Sequence, residues 1–324
     1  MGIFDKIKEP IFLKDDHEAE NQLNTLIELR KTASGKAADL LDEEISKVNA
    51  GIYGEKAVNF EIANSHTPMI VLHNLYLEHN GLTAQIDYLI VTRKHIYVVE
   101  CKNMYGDIEI NSSGDFIRTF YNGRRTRKEG IYSPITQNIR HLELVKQVRL
   151  ESKKNIITKT FFEKNFYTSY KSIVVLANPK TVLNSKYAKK EIKNQVIKVD
   201  QLISYIKKTD SVSKDEPMNK KDMEDLANFF LYAHKTQSTD YTEKFKKMIN
   251  PENMPEDQKE IDSGIEIEDQ SIVKCPKCGI KMIRRKATQG KNIGKEFYGC
   301  PNFPKCRSII EFSREINTEE KFDI

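Results

Sequence analysis

Two short apolar stretches decide the fold of this sequence: Gln85-Ile-Asp-Tyr-Leu-Ile-Val91 and His95-Ile-Tyr-Val-Val-Glu-Cys-Lys102. Both are rich in the β-branched and aromatic residues that favour strands. Thr92-Arg93-Lys94 separates them, and so short a connection between two strands is typical of a β-hairpin. We therefore expect the two stretches to be antiparallel neighbours in one sheet.

This hairpin is expected to bring four polar side chains together. A turn centred between residues 93 and 94 puts Asp87 opposite Glu100 and Gln85 opposite Lys102. Because alternate residues of a strand share a face, all four lie at one end of one face. Leu89 and the other strand neighbours on that face are apolar, so the polar group lies at the rim of an apolar surface.

Two carboxylates beside a lysine have the form of a metal site. Oxygens of Asp87 and Glu100, with the backbone carbonyl of Cys101, can hold Mg²⁺ or Mn²⁺. Such an ion lowers the pKa of a bound water and neutralises charge on a phosphate, while Lys102 stabilises the developing negative charge. The alternative, which the residues alone leave open, is a cross-strand ion pair on a solvated face.

A helical apolar pattern precedes the hairpin. Apolar residues spaced three and four apart run from Leu40 to Ile62 and place Glu55 on their face. A carboxylate there is costly unless it meets a cation or a metal. Gly51 and Gly54 could instead end one helix and let another begin, so the pattern leaves the continuity of this helix open.

The order of these motifs resembles a known family. Asp87, Glu100 and Lys102 have the spacing of the PD-(D/E)xK nuclease core. The wider pattern resembles the NERD (nuclease-related) domain over roughly residues 40–180, and it is carried by Gly51-Ile-Tyr-Gly54-Glu55, Gln85-Ile-Asp87, Val98-Val-Glu100-Cys-Lys102-Asn103, Gly106 and Gln137-Asn138. One departure is Ile86, where the superfamily often has proline.

The resemblance implies a restriction-endonuclease-like α/β fold, with a mixed sheet flanked by helices. It also implies a metal-dependent nuclease in which Asp87, Glu100 and Lys102 are catalytic, Glu55 assists from the preceding helix, and Gln137 completes the site. The residues themselves leave the role of Gln137 open. Ser133-Pro134 predicts a helix start that could aim its amide at the site, but an ordinary surface position fits equally well.

A second hairpin is predicted around the Asn122-Gly123 turn. Its return strand is basic, with Arg124, Arg125, Arg127 and Lys128. Contact with phosphates and a simple solvated edge explain this run equally well.

Four of the five cysteines lie near the C-terminus, as Cys275-Pro-Lys-Cys278 and, further on, Cys300 and Cys306. Two cysteine pairs of this kind predict a closed, tetrahedral structural zinc site. Disulfides are the alternative, which the lack of an export signal disfavours.

The surrounding residues resemble the C-terminal zinc ribbon of bacterial type IA topoisomerases. The resemblance rests on the cysteine spacing and on Phe297-Tyr298-Gly299-Cys300, and it implies binding of single-stranded DNA. Bases stack on aromatic rings while cations track phosphates. The expected DNA-contacting residues are Arg284, Arg285, Lys286, Lys291, Phe297, Tyr298 and Phe303. The alternative for the aromatic residues is packing in the small core of the ribbon.

The distribution of charge along the chain indicates its domain boundaries. The chain has 324 residues and a mean hydropathy of -0.58. Residues 251–270 hold eight acids against one lysine, and residues 271–314 hold eleven Lys/Arg against two acids, which indicates an acidic linker before a basic module. The expected domains are a helical segment (1–39), a nuclease-like domain (40–207), a helical extension (208–250), the linker (251–270), the ribbon (271–314) and a tail (315–324).

Function is predicted from this architecture. No apolar run approaches the roughly 20 residues of a membrane helix, so a cytoplasmic protein without a membrane partner is expected. The leading hypothesis is a Mg-dependent nuclease acting on DNA. The alternative is a non-catalytic DNA-binding scaffold with a degenerate nuclease-like domain, and the intact acid–acid–lysine set favours the enzyme.

Overall fold

The computed structural model describes residues 7–123, 125–237, 240–249, 275–277, 282–286, 296–300 and 306–311. The chain divides into two compact units between Asn250 and Pro251. Within the described ranges, no helix is both long and apolar enough to cross a membrane.

The first unit is a mixed α/β structure. Its strands are β1 (Pro10–Lys14), β2 (Met69–His79), β3 (Leu82–Val91), β4 (Ile96–Lys102), β5 (Asp107–Ile110), β6 (Phe116–Asn122), β7 (Arg125–Ile131), β8 (Tyr170–Leu176), β9 (Leu183–Asn184) and β10 (Val196–Lys198). Its helices are α1 (Glu18–Thr32), α2 (Gly35–Ala63), α3 (Pro134–Glu151), α4 (Ile156–Ser169), α5 (Lys190–Lys193), α6 (Leu202–Val212), α7 (Lys220–Ala233) and α8 (Glu243–Ile249).

Six strands form the central sheet, in the order β1-β2-β3-β4-β8-β10. Strands β2, β3 and β4 are antiparallel neighbours, whereas β1, β8 and β10 each run parallel to their neighbours. Helices α3 and α7 pack on one face and α2 and α6 on the other. The structure therefore confirms the predicted α/β class, a mixed sheet flanked by helices.

Both faces of the hairpin strands are buried, which explains their nearly continuous apolar sequence. Leu89 and Val98 belong to the core under α3, and Tyr88 and Val99 belong to the core under α2. All four are fully buried. Burying a side chain of this size stabilises a fold by roughly 1.5–3 kcal/mol, so this register is held firmly.

Helix α2 is continuous, which settles the question that its two glycines raise. It runs from Gly35 to Ala63 and includes both Gly51 and Gly54. Gly54 is buried where the helix passes close to the end of β4, because a Cβ built on it would lie 2.7 Å from the Cβ of Asn103. A glycine in mid-helix costs about 1 kcal/mol in propensity, and here it allows the close approach.

A second, smaller sheet follows β4 directly, with the strand order β7-β6-β5-β9. The predicted hairpin at Asn122-Gly123 is present as β6 and β7. Gly106 allows the chain to turn into this sheet, because its φ is +94° and a Cβ there would lie 2.4 Å from the carbonyl oxygen of Thr119.

The N-terminal segment differs from the helical prediction for residues 1–39. Pro10–Lys14 is a strand that pairs in parallel with β2, ahead of the two helices that the sequence indicates. A five-residue apolar stretch has too few residues to show a period of its own, and it becomes a strand because β2 offers an open edge.

The second unit contains a three-stranded antiparallel sheet of β11 (Ile283–Lys286), β12 (Glu296–Gly299) and β13 (Ile309–Glu311). Three cysteines, Cys275, Cys300 and Cys306, are buried beside this sheet together with Met282. So small a core depends on further stabilisation, which a metal supplies in zinc ribbons.

Candidate active site and zinc ribbon

The hairpin pairs in the register that the sequence predicts. Residues 88–91 of β3 face residues 96–99 of β4, with Tyr88 opposite Val99. The strands therefore bring Asp87 and Glu100 to the same end. One carboxylate oxygen of Asp87 accepts a hydrogen bond of 2.6 Å from the backbone N–H of Cys101, which fixes the Asp87 side chain across the hairpin.

Glu100 is the most deeply buried acid of the group, with 2% of its surface exposed. Its Oε1 lies 2.6 Å from Nζ of Lys102. Its Oε2 lies 3.3 Å from Nδ1 of His141 on α3, but neither of these two atoms has a hydrogen-bond partner within the described part of the chain. A buried carboxylate oxygen without a hydrogen-bond partner is unusual in native proteins and calls for an explanation, such as a bound ion or water.

Burial and a neighbouring charge disfavour the ionisation of Asp87. Burial raises the pKa of Asp87 well above its ordinary value, and the charge of Glu100 raises it further, with a smaller contribution from Glu55. The N–H of Cys101 and the charge of Lys102 act in the opposite direction but are outweighed. A raised pKa between paired carboxylates is typical of sites that bind a cation or perform acid–base chemistry.

The donor set fits a hard divalent cation. Asp87 leaves its Oδ1, and Glu100 its Oε2, without a hydrogen bond to the described residues. Mg²⁺ binds through one or two carboxylates and takes its remaining ligands from carbonyls, water and substrate phosphate. The two acids therefore match Mg²⁺ or Mn²⁺ in number and chemistry, and the Cys101 carbonyl lies in the same stretch of β4.

Glu55 is held by a histidine that the sequence reasoning did not single out. Oε2 of Glu55 lies 3.1 Å from Nε2 of His73, whose Nδ1 lies 2.9 Å from Oδ1 of Asp15. Burial lowers the pKa of His73, but the hydrogen bonds and charges of Glu55 and Asp15 outweigh it, and the pKa is raised. The carboxylate that the sequence places on the apolar face of α2 thus has a hydrogen-bond partner in His73.

The thiol of Cys101 points to the opposite side of β4 from the acids. It packs in the core under α2, where its Sγ would lie 3.2 Å from a Cβ built on Gly54. Burial raises its pKa well above the ordinary value, and the nearby charges of Asp87 and Glu55 add to the effect. A thiol of this kind is neutral and unreactive.

Helix α3 begins as predicted, with the Ser133 side chain accepting a hydrogen bond from the Thr136 N–H. Gln137 is half-buried one turn before His141, and its side chain makes no hydrogen bond with the described residues. Asn138 is fully buried instead, and its Nδ2 donates to Val98, Ser172 and Ile173. Asn138 thus fixes α3 against β4 and β8.

A polar cavity of about 300 Å³ lies beside Glu55 and Gln85. Its other walls come from α1, which contributes Gln22, and from the segment around α8, which contributes Gln237 and Lys246. The side chain of Gln85 donates to Asn74 in the cavity wall and is not joined to Lys102. Segments on both sides of the central nuclease-like region therefore line this cavity.

The ribbon cysteines fit a zinc ion. The Sγ atoms of Cys275, Cys300 and Cys306 all lie within 4.8 Å of one another, and no disulfide joins them. Thiolates bound to one tetrahedral zinc at about 2.3 Å are about 3.8 Å apart, so the three thiols are gathered as zinc requires. The fourth expected ligand, Cys278, lies outside the described residues.

The expected DNA-contacting residues are distributed over the ribbon sheet. Strand β11 carries Arg284, Arg285 and Lys286, and its register puts Arg285 opposite Phe297 and Arg284 opposite Tyr298. Tyr298 packs against the cysteine cluster, and Phe297 belongs to the other face because strand residues alternate. For Tyr298, the structure therefore supports the alternative of packing in the small core of the ribbon. Lys291 and Phe303 lie outside the described residues.

A mixed α/β sheet with two acids and a lysine at one end is the arrangement that the resemblance to PD-(D/E)xK nucleases implies. Residues 50–177 match the family model described as Nuclease-related domain (NERD), and residues 272–315 match the one described as Topoisomerase DNA binding C4 zinc finger. The chain thus carries a nuclease-related domain followed by a topoisomerase-type zinc ribbon, and both indicate that it binds DNA. No curated protein and no solved structure gives a significant match.

Proposed function

We propose that this chain is a metal-dependent nuclease that hydrolyses phosphodiester bonds of DNA, with a zinc ribbon that holds single-stranded DNA. The observation that carries the proposal is the cluster of Asp87, Glu100 and Lys102 at the end of the hairpin. Both acids keep an oxygen free of hydrogen bonds to the described residues, and Lys102 is partly open to solvent. Acids and a cation arranged in this way suit a phosphate and a divalent ion.

Each residue of the cluster has a proposed role. Mg²⁺ or Mn²⁺, held by Asp87, Glu100 and the carbonyl of Cys101, would lower the pKa of a bound water and neutralise charge on the phosphate. The Lys102 ammonium stabilises negative charge as it develops on the phosphate oxygens. Its ion pair with Glu100 fixes the position of that charge before the substrate arrives.

The surrounding side chains position this cluster. His73 holds the Glu55 carboxylate at the edge of the polar cavity, where it contributes to the negative potential that attracts a cation. His141 lies against Oε2 of Glu100 and restricts its rotation. Gln137, one helical turn earlier, is available to orient a water or a phosphate oxygen.

The test is incubation of the full-length protein with labelled single- and double-stranded DNA and RNA. We expect cleavage of DNA with Mg²⁺ and none with EDTA. Because EDTA also removes zinc, Ca²⁺ in place of Mg²⁺ is the sharper comparison, since it leaves the ribbon intact. Glu100→Gln and Lys102→Ala should each lower kcat by about a hundredfold or more.

A matched control separates loss of chemistry from loss of structure. Glu78→Gln makes the same change at an exposed position on β2 and should leave cleavage unchanged. Full activity of Glu100→Gln, or activity in EDTA, would refute the nuclease proposal. Tight binding of DNA without any metal-dependent cleavage would favour the non-catalytic scaffold.

The ribbon has its own test. Residues 271–314 carry a large excess of positive charge, so binding of single-stranded DNA should weaken steeply as salt rises. Cys306→Ser, which removes a zinc ligand, should weaken this binding and flatten the salt dependence. An unchanged dissociation constant and salt slope would assign the ribbon to another role.

A further inference from the structure

We propose that the second sheet of the first unit presents a stacking surface for unpaired bases, centred on Tyr105 and Phe120 and bordered by Arg118. This inference rests on the proposed nuclease function and adds to it the path of the substrate strand. It concerns the basic hairpin of β6 and β7, for which the sequence left phosphate contact and a solvated edge equally open.

The geometry of this surface is that of a partly filled stack. The rings of Tyr105 and Phe120 lie 6.4 Å apart at 30°, and the Arg118 guanidinium lies 4.4 Å from the centre of the Phe120 ring. Phe120 is half-buried under these two neighbours, but 63% of Tyr105 is exposed. Tyr105 therefore stacks on one side only and offers much of its ring to a ligand.

The strand that carries Phe120 runs from the core into solvent. Phe116, Arg118 and Phe120 share one face of β6 by alternation, and Phe116 is buried in the core beneath this sheet. If the aromatic residues served only to fill that core, Phe120 and Tyr105 would lie inside it, whereas both lie beyond its edge. Their position is better explained by a ligand with flat faces, because stacking on an exposed ring needs a planar partner.

The charge of the hairpin suits a nucleic-acid strand. From Phe116 to Ile131 the sequence has five arginine or lysine residues and one acid, Glu129. Glu129 pairs with both Arg118 and Arg127, at 2.6 and 3.4 Å, yet the Arg127 side chain remains 79% exposed. Cations beside exposed aromatic rings are the combination that binds single strands, with phosphates on the cations and bases on the rings.

The surface is close to the acids. Tyr105 follows Lys102 by three residues, and since consecutive Cα atoms are 3.8 Å apart, their Cα atoms lie within about 11 Å of each other. Successive stacked nucleotides are about 3.4 Å apart. A base on Tyr105 would therefore belong to a nucleotide only a few positions from the scissile phosphate.

A second aromatic–arginine pair lies around the start of α3. Tyr132 is 60% exposed, and the guanidinium of Arg140 lies 5.7 Å from the centre of its ring. Arg140 directly precedes His141, which contacts Glu100. An exposed aromatic ring with an arginine beside it therefore occurs both after β4 and just before α3.

The experiment uses the full-length protein and short oligonucleotides that carry 5-iodouracil, which crosslinks to stacked aromatic rings under ultraviolet light. With Ca²⁺ in place of Mg²⁺, we expect mass spectrometry to find a crosslink at Tyr105 with a single strand and a much weaker one with a duplex, whose bases are already stacked. In cleavage assays Tyr105→Ala should raise KM about tenfold, with a smaller effect on kcat, and Tyr105→Phe should retain the wild-type KM.

Tyr232→Ala is the matched control, because Tyr232 is 84% exposed on α7, and it should change neither measurement. A cleaving enzyme with no crosslink at Tyr105 and an unchanged KM for Tyr105→Ala would overturn this inference and leave the nuclease proposal intact. Equal crosslinking by a duplex would also overturn it. A crosslink at Tyr105 in a protein that never cleaves would support the surface and refute the nuclease.

Discussion

Gly54 gives the sharpest test of how α2 meets the end of β4. A Cβ at this position would lie 2.7 Å from the Cβ of Asn103, 3.2 Å from Sγ of Cys101 and 3.3 Å from the Cβ of Ala177. The two Cβ atoms are attached directly to backbone, so neither can move away alone. Gly54→Ala therefore has to push the helix away from the sheet.

The expected loss of folding stability follows from comparison with Gly51, which lies one turn earlier in the same helix. A Cβ on Gly51 would meet no atom within 4 Å. Gly51→Ala should stabilise the fold by about 0.5–1 kcal/mol through helix propensity. Gly54→Ala gains the same propensity but forces overpacking, which typically costs about 1–3 kcal/mol. The difference between the variants is therefore expected to be about 1–3 kcal/mol.

The assay is thermal unfolding of the full-length variants, followed by circular dichroism at the helical band. The described helices all belong to the first unit, so this signal reports its unfolding. At about 2–4 °C per kcal/mol, Gly54→Ala should melt several degrees below Gly51→Ala. DNA cleavage should fall in Gly54→Ala only, because Glu55 is the next residue and would move with the helix.

Equal melting temperatures for the two alanine variants would refute the reasoning. They would mean that α2 does not approach Cys101 and Asn103 as closely as described. A Gly54→Ala variant that melts lower but cleaves normally would preserve the packing argument. It would, however, show that cleavage does not depend on the exact position of Glu55.

Three further outcomes are expected. Because the pKa of His73 is raised, the folded state holds a proton more tightly than the unfolded state, and this stabilises the fold. The stabilisation is complete below about pH 6.5, the ordinary pKa of histidine, and is lost as pH rises through the folded pKa. In urea titrations, His73→Gln should show a smaller loss of stability above pH 6.5 than wild type, by at most about 1.4 kcal/mol per pH unit, and an equal loss would contradict this role of His73. Asn138→Ala should lower the melting temperature through a cost of about 1–3 kcal/mol, because it leaves buried acceptors without a donor, and an unchanged melting temperature would contradict its role. Metal analysis should find about one zinc per chain and a loss of zinc in Cys306→Ser, and an undiminished zinc content would remove Cys306 from the site.

Much of the fold was accessible from the sequence because the decisive features are local. The β3–β4 register follows from the short turn and the alternation of polar and apolar residues, and the structure has Tyr88 opposite Val99 as that register requires. The Ser133 cap and the Asn122-Gly123 turn are equally local. The cysteine spacing indicated the ribbon for the same reason.

What the sequence did not predict depends on contacts between distant segments. His73 and Asp15 are 58 positions apart, and neither shows a spacing that points to Glu55. His141 was visible on the same helix face as Gln137, but only the packing of α3 brings its ring to Glu100. The strand at Pro10–Lys14 was missed because it exists only through its pairing with β2.

The cavity beside Glu55 has a consequence for the synthesis of the protein. Its wall includes Gln237 and Lys246, which leave the ribosome roughly 150 residues after Asp87 and Glu100. At about 5–20 residues per second, the nascent chain carries the acid pair for some seconds before the residues that complete the cavity beside Glu55 are made. The acid pair and the cavity are therefore completed at different times during synthesis.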